Sequence, residues 1–349
     1  MNSAAAPEFR VFSGKDVRAV IDSEHAAIIR AVESAYRAHH HGRTVNPPST
    51  FVRFPDNSSD RIIALPASYQ ADVAGEPRRI TGIKWIASFP GNVANGIPRA
   101  SAVLILNDER SGFPFACIEA SAISSARTAA SAASALTHLL GSEKPQPCTL
   151  AVIGAGEISR QIIRFLFQTT IPITSISIFD LVPGRAVSLC ERVRASTSAR
   201  VIAARSVTDA IRQADVVVFA TTATEPHVFD PALFQHNPIV LHISLRDLAP
   251  EVILSAHNVV DDADHCLSAR TSLHLTELQV GHREFVTTTL PEILCHARTP
   301  ERNRPIIFSP FGLGVLDLAV GVLVYSSLRD RTEPVPDFFA CGIYGRGLR

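Results

Sequence analysis

The run Val152-Ile153-Gly154-Ala155-Gly156-Glu157-Ile158-Ser159 lies in mid-chain, between an apolar stretch (149–153) and an amphipathic one (157–167). A glycine pair at a strand-to-helix turn permits a tight bend. It also lets the backbone approach a pyrophosphate, whose charge meets the free N–H groups that open the helix. The turn therefore predicts an α/β unit of the Rossmann type that binds a nucleotide, the other reading being a tight turn with no ligand. About 150 residues precede it, so a different unit comes first.

At 349 residues the chain is long for one core, and two domains are expected. From Cys148 onward, short β-branched strands at 150–153, 175–179, 201–204, 216–220, 239–243 and 259–261 alternate with helical stretches. That alternation predicts a doubly wound parallel sheet. The N-terminal part reads differently: a helix over 22–40, then extended segments at 61–65, 80–85, 102–106 and 115–119, punctuated by proline and glycine. It predicts an α+β domain with a more antiparallel sheet. Residues 120–140, rich in alanine and serine, form a joining helix, and 311–328 have helical spacing that returns to the first domain. The expected borders are 1–125 with 310–349 for the first domain and 126–309 for the nucleotide-binding one. A chain that leaves a domain and returns to it is expected to bind small ligands between its lobes.

With 33 basic and 33 acidic residues the formal net charge is zero, which gives no electrostatic case for nucleic acid or an acidic membrane surface. A small-molecule substrate is the better expectation. Six cysteines without a C-x-x-C pair read as buried thiols of a reducing compartment. Residues 1–12 lack the charged-then-apolar pattern of a secretory signal, and 318–325 is too short for a membrane helix, so a cytoplasmic protein is expected. His39, His40 and His41 are consecutive and cannot converge on one ion from a helix face, so no metal is predicted. There is no Gly-x-Ser-x-Gly elbow for nucleophilic hydrolysis.

Several polar residues stand in apolar settings. Asp180 ends the second strand after the glycine turn, 24 residues beyond Gly156, where a carboxylate accepts from adenosine ribose hydroxyls and repels a 2′-phosphate. NAD is thus favoured over NADP, with Arg185 nearby pulling the other way. Lys84 interrupts the apolar Gly82-Ile83-Lys84-Trp85-Ile86; its ammonium either snorkels from an edge strand or faces a carboxylate or a water-filled cleft. Arg127 and Thr128 sit among small residues in Ser124-Ser125-Ala126-Arg127-Thr128-Ala129-Ala130, either an exposed helix arginine or a fork for carboxylate or phosphate. Arg53 is a third cation on an apolar strand. Asp247 follows the fifth strand in His242-Ile243-Ser244-Leu245-Arg246-Asp247, at the sheet edge where ligands collect or as a local cap for the helix begun by Pro250-Glu251.

In this order, Gly82-Ile83-Lys84, the Ser124 to Ala130 run, the glycine turn, Asp247 and Ser309-Pro310-Phe311-Gly312 leading to Asp317 resemble the ornithine cyclodeaminase and mu-crystallin family over nearly the whole chain. Ser159 stands where the glycine motif has its third glycine. The resemblance implies that Arg53, Lys84 and Arg127 bind substrate, and that Asp247 and Lys84 are catalytic. It further implies that Arg127, Thr128, Gly154, Ala155, Gly156, Glu157, Ile158, Asp180, Thr221, Thr222, Ser244 and Ser309 contact NAD. A homodimer formed through the first domain is implied as well. The stretches Asp60 to Pro66, Gly82 to Ile86, Ile118 to Ala130 and His242 to Asp247 look most like the branch of N-(2-amino-2-carboxyethyl)-L-glutamate dehydrogenases, which make 2,3-diaminopropionate for siderophores such as staphyloferrin B. That branch implies oxidation of a secondary amine to an imine, then hydrolysis to 2,3-diaminopropionate and 2-oxoglutarate. Alternatives within the family are an ornithine cyclodeaminase, a ketimine reductase and another amino acid dehydrogenase. A non-catalytic nucleotide-binding protein of the crystallin kind is the alternative from another class.

Overall fold

The computed structural model describes residues 8–73, 76–141, 146–296 and 299–339. In chain order it begins with β1 (Arg10–Phe12), α1 (Gly14–Ser23), α2 (His25–His40), β2 (Thr44–Val45), β3 (Thr50–Phe54), β4 (Asn57–Val73) and β5 (Glu76–Ser88). Then come β6 (Ala100–Asn107), β7 (Pro114–Glu119), α3 (Ser121–Leu140), β8 (Cys148–Ile153), α4 (Glu157–Leu166), β9 (Ile173–Phe179), α5 (Pro183–Arg194) and β10 (Arg200–Ala203). The rest comprises α6 (Val207–Ile211), β11 (Val216–Phe219), β12 (Ile239–His242), α7 (Pro250–Leu254), β13 (His257–Val260), α8 (Ala263–Cys266), α9 (Ser272–Val280), β14 (Val286–Thr289), α10 (Leu290–His296), β15 (Ile306–Ser309) and α11 (Gly314–Leu328).

The chain forms two compact units. Unit 1 takes the residues up to Glu24, Gly42–Ser124 and those from Gly314 onward; unit 2 takes His25–His41 and Ser125–Leu313.

Among the described residues, unit 1 is built on a seven-stranded sheet of order β1-β7-β6-β5-β4-β2, with β3 also paired to β4. All its pairings are antiparallel except β1 with β7. The extended segments expected at 61–65 and 80–85 are parts of one long β4–β5 hairpin. Alternation gives the sheet two different faces. Leu65, Lys84 and Leu104 are cross-strand partners and all are buried. Their neighbours Trp85 and Val103, also partners, point the other way and are 42% and 37% exposed. Helix α11 packs on β4, β5 and β6, and Gly321 lets Leu104 press against the helix where a Cβ would collide with it.

Unit 2 carries an eight-stranded sheet of order β10-β9-β8-β11-β12-β15-β13-β14, parallel at every pairing. From β8 the chain builds outward through β9 and β10, then returns to the other side of β8 at β11. That reversal is the switch point at which doubly wound sheets bind ligands. Strands β11, β12 and β15 are buried along their whole length.

Two sequence expectations are corrected. The helix expected over 22–40 is a pair, α1 and α2, separated at Glu24, and α1 is capped by Ser13, whose hydroxyl accepts from Asp16 N–H. Moreover, α2 belongs with unit 2 rather than with the N-terminal part. Its polar side chains find their partners there: Tyr36 Oη is 2.7 Å from Ser131 Oγ, and Glu33 Oε1 accepts from Ser134 Oγ at 2.8 Å.

His39, His40 and His41 meet three different partners. His39 Nε2 lies 3.1 Å from Asp262 Oδ2, His40 Nε2 lies 3.0 Å from His296 Nε2, and His41 Nε2 lies 4.0 Å from Cys295 Sγ. The hydrogen bond with His39 is the largest influence on Asp262 and draws its pKa to about 2 against the opposing effect of burial. Because the folded value lies below the unfolded one, the contribution to stability is present above about pH 4 and is lost as pH falls toward 2. Asp262→Asn is therefore expected to cost about 1–2 kcal/mol at pH 7. In urea titrations the gap from the parent protein should close between about pH 4 and pH 2; a pH-independent gap would remove the charge from the explanation.

Cys117, Cys148, Cys190, Cys266 and Cys295 are free thiols, and Cys341 lies outside the described residues. No helix among the described residues is long and apolar enough to cross a membrane.

Candidate functional site

Since every strand of the unit 2 sheet runs the same way, all their carboxyl ends lie along one edge. Gly154 follows β8, Asp180 follows β9, Thr221 and Thr222 follow β11, Ser244 follows β12, and Ser309 ends β15. The structure thus brings these sequence-predicted residues to a single edge.

The glycine turn has the geometry its sequence calls for. Gly154 has φ +94°, and a Cβ there would run into the carbonyl of Ala220, just past β11. Gly156 caps α4 and offers no side chain to the first N–H groups of the helix. A Cβ on Gly156 would meet nothing within 4 Å: the second glycine fronts open space. Ser159 is fully buried and its hydroxyl donates to the Gly154 carbonyl, so the serine in place of the third glycine braces the turn. Asp180 Oδ2 accepts from Ala155 N–H and Oδ1 from Val182 N–H, each at 2.8 Å. A carboxylate has about four acceptor positions, so one on each oxygen remains for ribose hydroxyls. Glu157, in the first turn of α4, is held by Arg160 at 2.6 and 2.8 Å, and Ile158 follows it. The first N–H groups of a helix, a backbone without Cβ and an acceptor on the next strand fit a dinucleotide.

Gly156 has an ordinary φ of −87°, so a side chain there fills space without straining the fold. Gly156→Val is expected to fold normally and to weaken NADH binding by about tenfold or more, as read by nucleotide fluorescence titration. Unchanged affinity would remove the turn from the cofactor site.

Asp247 is fully buried and surrounded. Thr221 Oγ1 donates to Oδ1 at 2.5 Å, His227 Nε2 lies 3.0 Å from the same oxygen, and Ser244 Oγ donates to Oδ2. His242 Nε2 is 3.2 Å from the Asp247 backbone nitrogen and 3.4 Å from Oδ2, and its Nδ1 is 3.1 Å from Ser309 Oγ. Burial by itself pushes the Asp247 carboxyl up; hydrogen bonds with His227, His242 and Ser244 outweigh it and hold the group well below the usual carboxylate range. Leu245 takes φ +71°, an uncommon conformation for a branched residue, in the tight turn between Ser244 and Asp247. Thr221, Ser244 and Ser309, expected at the cofactor, are therefore bonded into the Asp247 network. An ionised carboxylate only accepts, so His227 Nε2 carries the shared proton and, in the neutral ring, Nδ1 keeps its lone pair. With a side chain 38% exposed, His227 links the buried anion to solvent.

Arg127 and Thr128 lie on α3 within unit 2, both half-buried. The Arg127 guanidinium occupies the space that a Cβ on Gly312 would need, and Gly312 has φ +95°. Buried Asp261 fixes that turn by accepting from Phe311 N–H at 2.9 Å and Gly312 N–H at 2.7 Å.

Lys84 and Arg53 lie in unit 1. The Lys84 ammonium is 2% exposed; it donates to Asp317 Oδ2 at 2.7 Å and to Ser124 Oγ at 3.1 Å. The carboxylate that sequence reasoning required for Lys84 is thus Asp317, itself fully buried on α11. Arg53 is exposed, with Cζ 4.9 Å from the Phe51 ring centroid.

Sequence reasoning gave no role to His227, Asp261 or Asp317. Asp317 carried a readable signal, a lone acid in the apolar stretch 314–324, since a buried charge needs an opposite one. His227 and Asp261 carried none, because they act through a loop and a turn rather than through a periodic element.

A parallel sheet that reverses its order beside an open glycine turn, with an ionised carboxylate at the adjoining strand ends, defines a dinucleotide-binding α/β protein. Residues 11–332 match the model of the ornithine cyclodeaminase/mu-crystallin family, and the chain belongs to that family. It is 27% identical over 334 residues to the N-((2S)-2-amino-2-carboxyethyl)-L-glutamate dehydrogenase of Staphylococcus aureus, covering 93% of this chain and 96% of that protein. It is 25% identical to the alanine dehydrogenase of Archaeoglobus fulgidus, covering 92% and 95%. The fold is similar to that of Thermococcus litoralis Δ(1)-pyrroline-2-carboxylate reductase, solved with NADH and L-proline, at a TM-score of 0.84 and 21% identity over 94% of this chain and 99% of that one.

Proposed function

We propose that this chain, an NAD-dependent oxidoreductase acting on a CH–NH bond of an amino acid, takes N-(2-amino-2-carboxyethyl)-L-glutamate as substrate. The products are 2,3-diaminopropionate and 2-oxoglutarate, the former a building block for siderophores. The observation that carries the reading is the buried, hydrogen-bonded Asp247 carboxyl group on the same sheet edge as the glycine turn. The choice of substrate is supported by likeness to the S. aureus enzyme along nearly the whole of both chains.

NAD, when bound, supplies the acceptor for the hydride that leaves the glutamate Cα. Gly154, Ala155, Gly156, Glu157 and Ile158 hold the pyrophosphate at the start of α4, and Asp180 holds the ribose. Arg127, Thr128 and Thr222 complete the cofactor contacts. As the amine becomes an imine, positive charge grows on nitrogen, and the fixed negative charge of Asp247 stabilises it. Water adds to the imine carbon, the C–N bond breaks, and the amine leaves with the proton. Arg53, Lys84 and Arg127 hold carboxylates of the substrate, each charge-assisted hydrogen bond contributing about 1.5–3 kcal/mol. A homodimer forms across the outer face of the unit 1 sheet, where Trp85 and Val103 are exposed side by side. Light scattering is expected to give twice the monomer mass and, for Trp85→Glu, the monomer mass.

Incubation with NAD⁺ and N-(2-amino-2-carboxyethyl)-L-glutamate, followed by mass spectrometry, tests the reaction. Equal amounts of NADH, 2-oxoglutarate and 2,3-diaminopropionate are expected. Proline and ammonia from ornithine without net NADH would instead identify a cyclodeaminase. Reduction of a cyclic imine alone would identify a ketimine reductase, and nucleotide binding without any turnover a non-catalytic protein.

A further inference from the structure

We propose that Arg53, Arg61 and Arg99 of unit 1 form a carboxylate-binding site that selects a polycarboxylate substrate. The inference rests on the proposed substrate and deepens it by giving Arg61 and Arg99 a part in holding it.

Arg53 on β3 and Arg61 on β4 are direct partners in the antiparallel register, and Arg61 is in turn the partner of Ser88 on β5. Directly opposed residues in an antiparallel sheet project from the same face. Ser88 is four residues from Lys84 on the same strand, so alternation puts Arg53, Arg61 and Ser88 on the face that carries Lys84. Arg99, just before β6, reaches the same spot, with Nη1 donating to Ser88 Oγ at 2.9 Å. Arg61 and Arg99 therefore flank Ser88, and Arg53 stands beside Arg61 on the next strand. Arg61 and Arg99 are half-buried; Arg53 is exposed.

No carboxylate among the described residues lies within 4.0 Å of any of the three. Asp60, next to Arg61 in sequence, projects from the opposite face and accepts from Asn57 Nδ2 at 2.7 Å. Burial, and then the Arg53 charge, hold Arg61 below the usual guanidinium range; burial, and then the Arg61 charge, do the same to Arg99. Like charges directly opposed across strands destabilise a sheet. The arrangement is relieved when an anion bridges the group, and a planar guanidinium matches a carboxylate through two parallel hydrogen bonds. It also repels a substrate with a second ammonium group in place of a second carboxylate, which separates a polycarboxylate amine from ornithine.

Calorimetric titration of the full-length protein with tricarballylate, an unreactive tricarboxylate, tests the site without requiring turnover. Binding to the parent is expected, weakened by about tenfold or more in each of Arg61→Gln and Arg99→Gln, with Arg61→Lys falling between because it keeps the charge and loses the fork. In turnover assays the same variants raise KM for the polycarboxylate amine while NADH affinity is retained. Equal tricarballylate affinity in parent and variants overturns the proposal, as does no binding to the parent, or inorganic phosphate binding as tightly. Circular dichroism of Arg61→Lys confirms that any loss is not one of folding. Tricarballylate binding through these arginines without NADH formation from the amine would leave the site standing and remove the substrate assignment. NADH formation with unchanged KM in both glutamine variants would do the reverse.

Discussion

Asp317→Leu is expected to lower the stability of the protein by about 3–5 kcal/mol, because it strands the Lys84 ammonium in the interior of unit 1. Lys84 is 2% exposed and its partner 0%, so neither charge can turn to solvent when the other is removed. Lys84→Met leaves Asp317 in the same position and is expected to cost a similar amount. The double variant Lys84→Met/Asp317→Leu removes both charges and should recover most of the loss, since replacing a buried pair with apolar groups of similar volume is often neutral. Guanidinium chloride denaturation of the four proteins reads this directly. Additive losses in the double variant would show that the pair is not a coupled unit. Activity should stay low in the two variants that lack Lys84, because stability returns with packing whereas the substrate cation does not.

Asp247→Asn is the second large effect. Removing the charge is expected to lower kcat by about 10²–10⁴ while NADH affinity changes little. His227→Gln should fall in the same direction, and the double variant by much less than the product of the two, as expected of residues that act as a unit. Hydrogen bonding holds the Asp247 carboxyl below its unfolded value, so its contribution to stability is complete above about pH 4 and is lost as pH falls further. Asp247 consequently stays charged throughout the neutral range, and any acid limb of kcat there belongs to another group. Near-normal turnover by Asp247→Asn would take this residue out of the reaction.

The nucleotide half of the molecule was legible because its signals are local. A glycine pair between an apolar run and an amphipathic helix, and an acid at the end of the next strand, each define a backbone event within a few residues. Strand β15 was not legible: Ile306-Ile307-Phe308-Ser309 is too short to show a period, and a run of three apolar residues reads equally as buried helix or buried strand. Only its place between β12 and β13 makes it a strand. Helix α2 was read as an element but given to the wrong unit, because its allegiance rests on long-range bonds such as that between Tyr36 and Ser131. Lys84 shows the middle case. Its sequence setting announced a buried charge that needed a partner, yet nothing local could say that the partner lies 233 positions away.

That separation also orders events during synthesis. As the chain leaves the ribosome, all the strands of the first sheet are made before the helix that will cover one face of it, and unit 2 is complete at Leu313, before α11 begins. Unit 2 can therefore fold first, as upstream units do during translation, while Lys84 waits for its counter-ion. The nascent protein exposes an apolar β-face until α11 emerges to cover it.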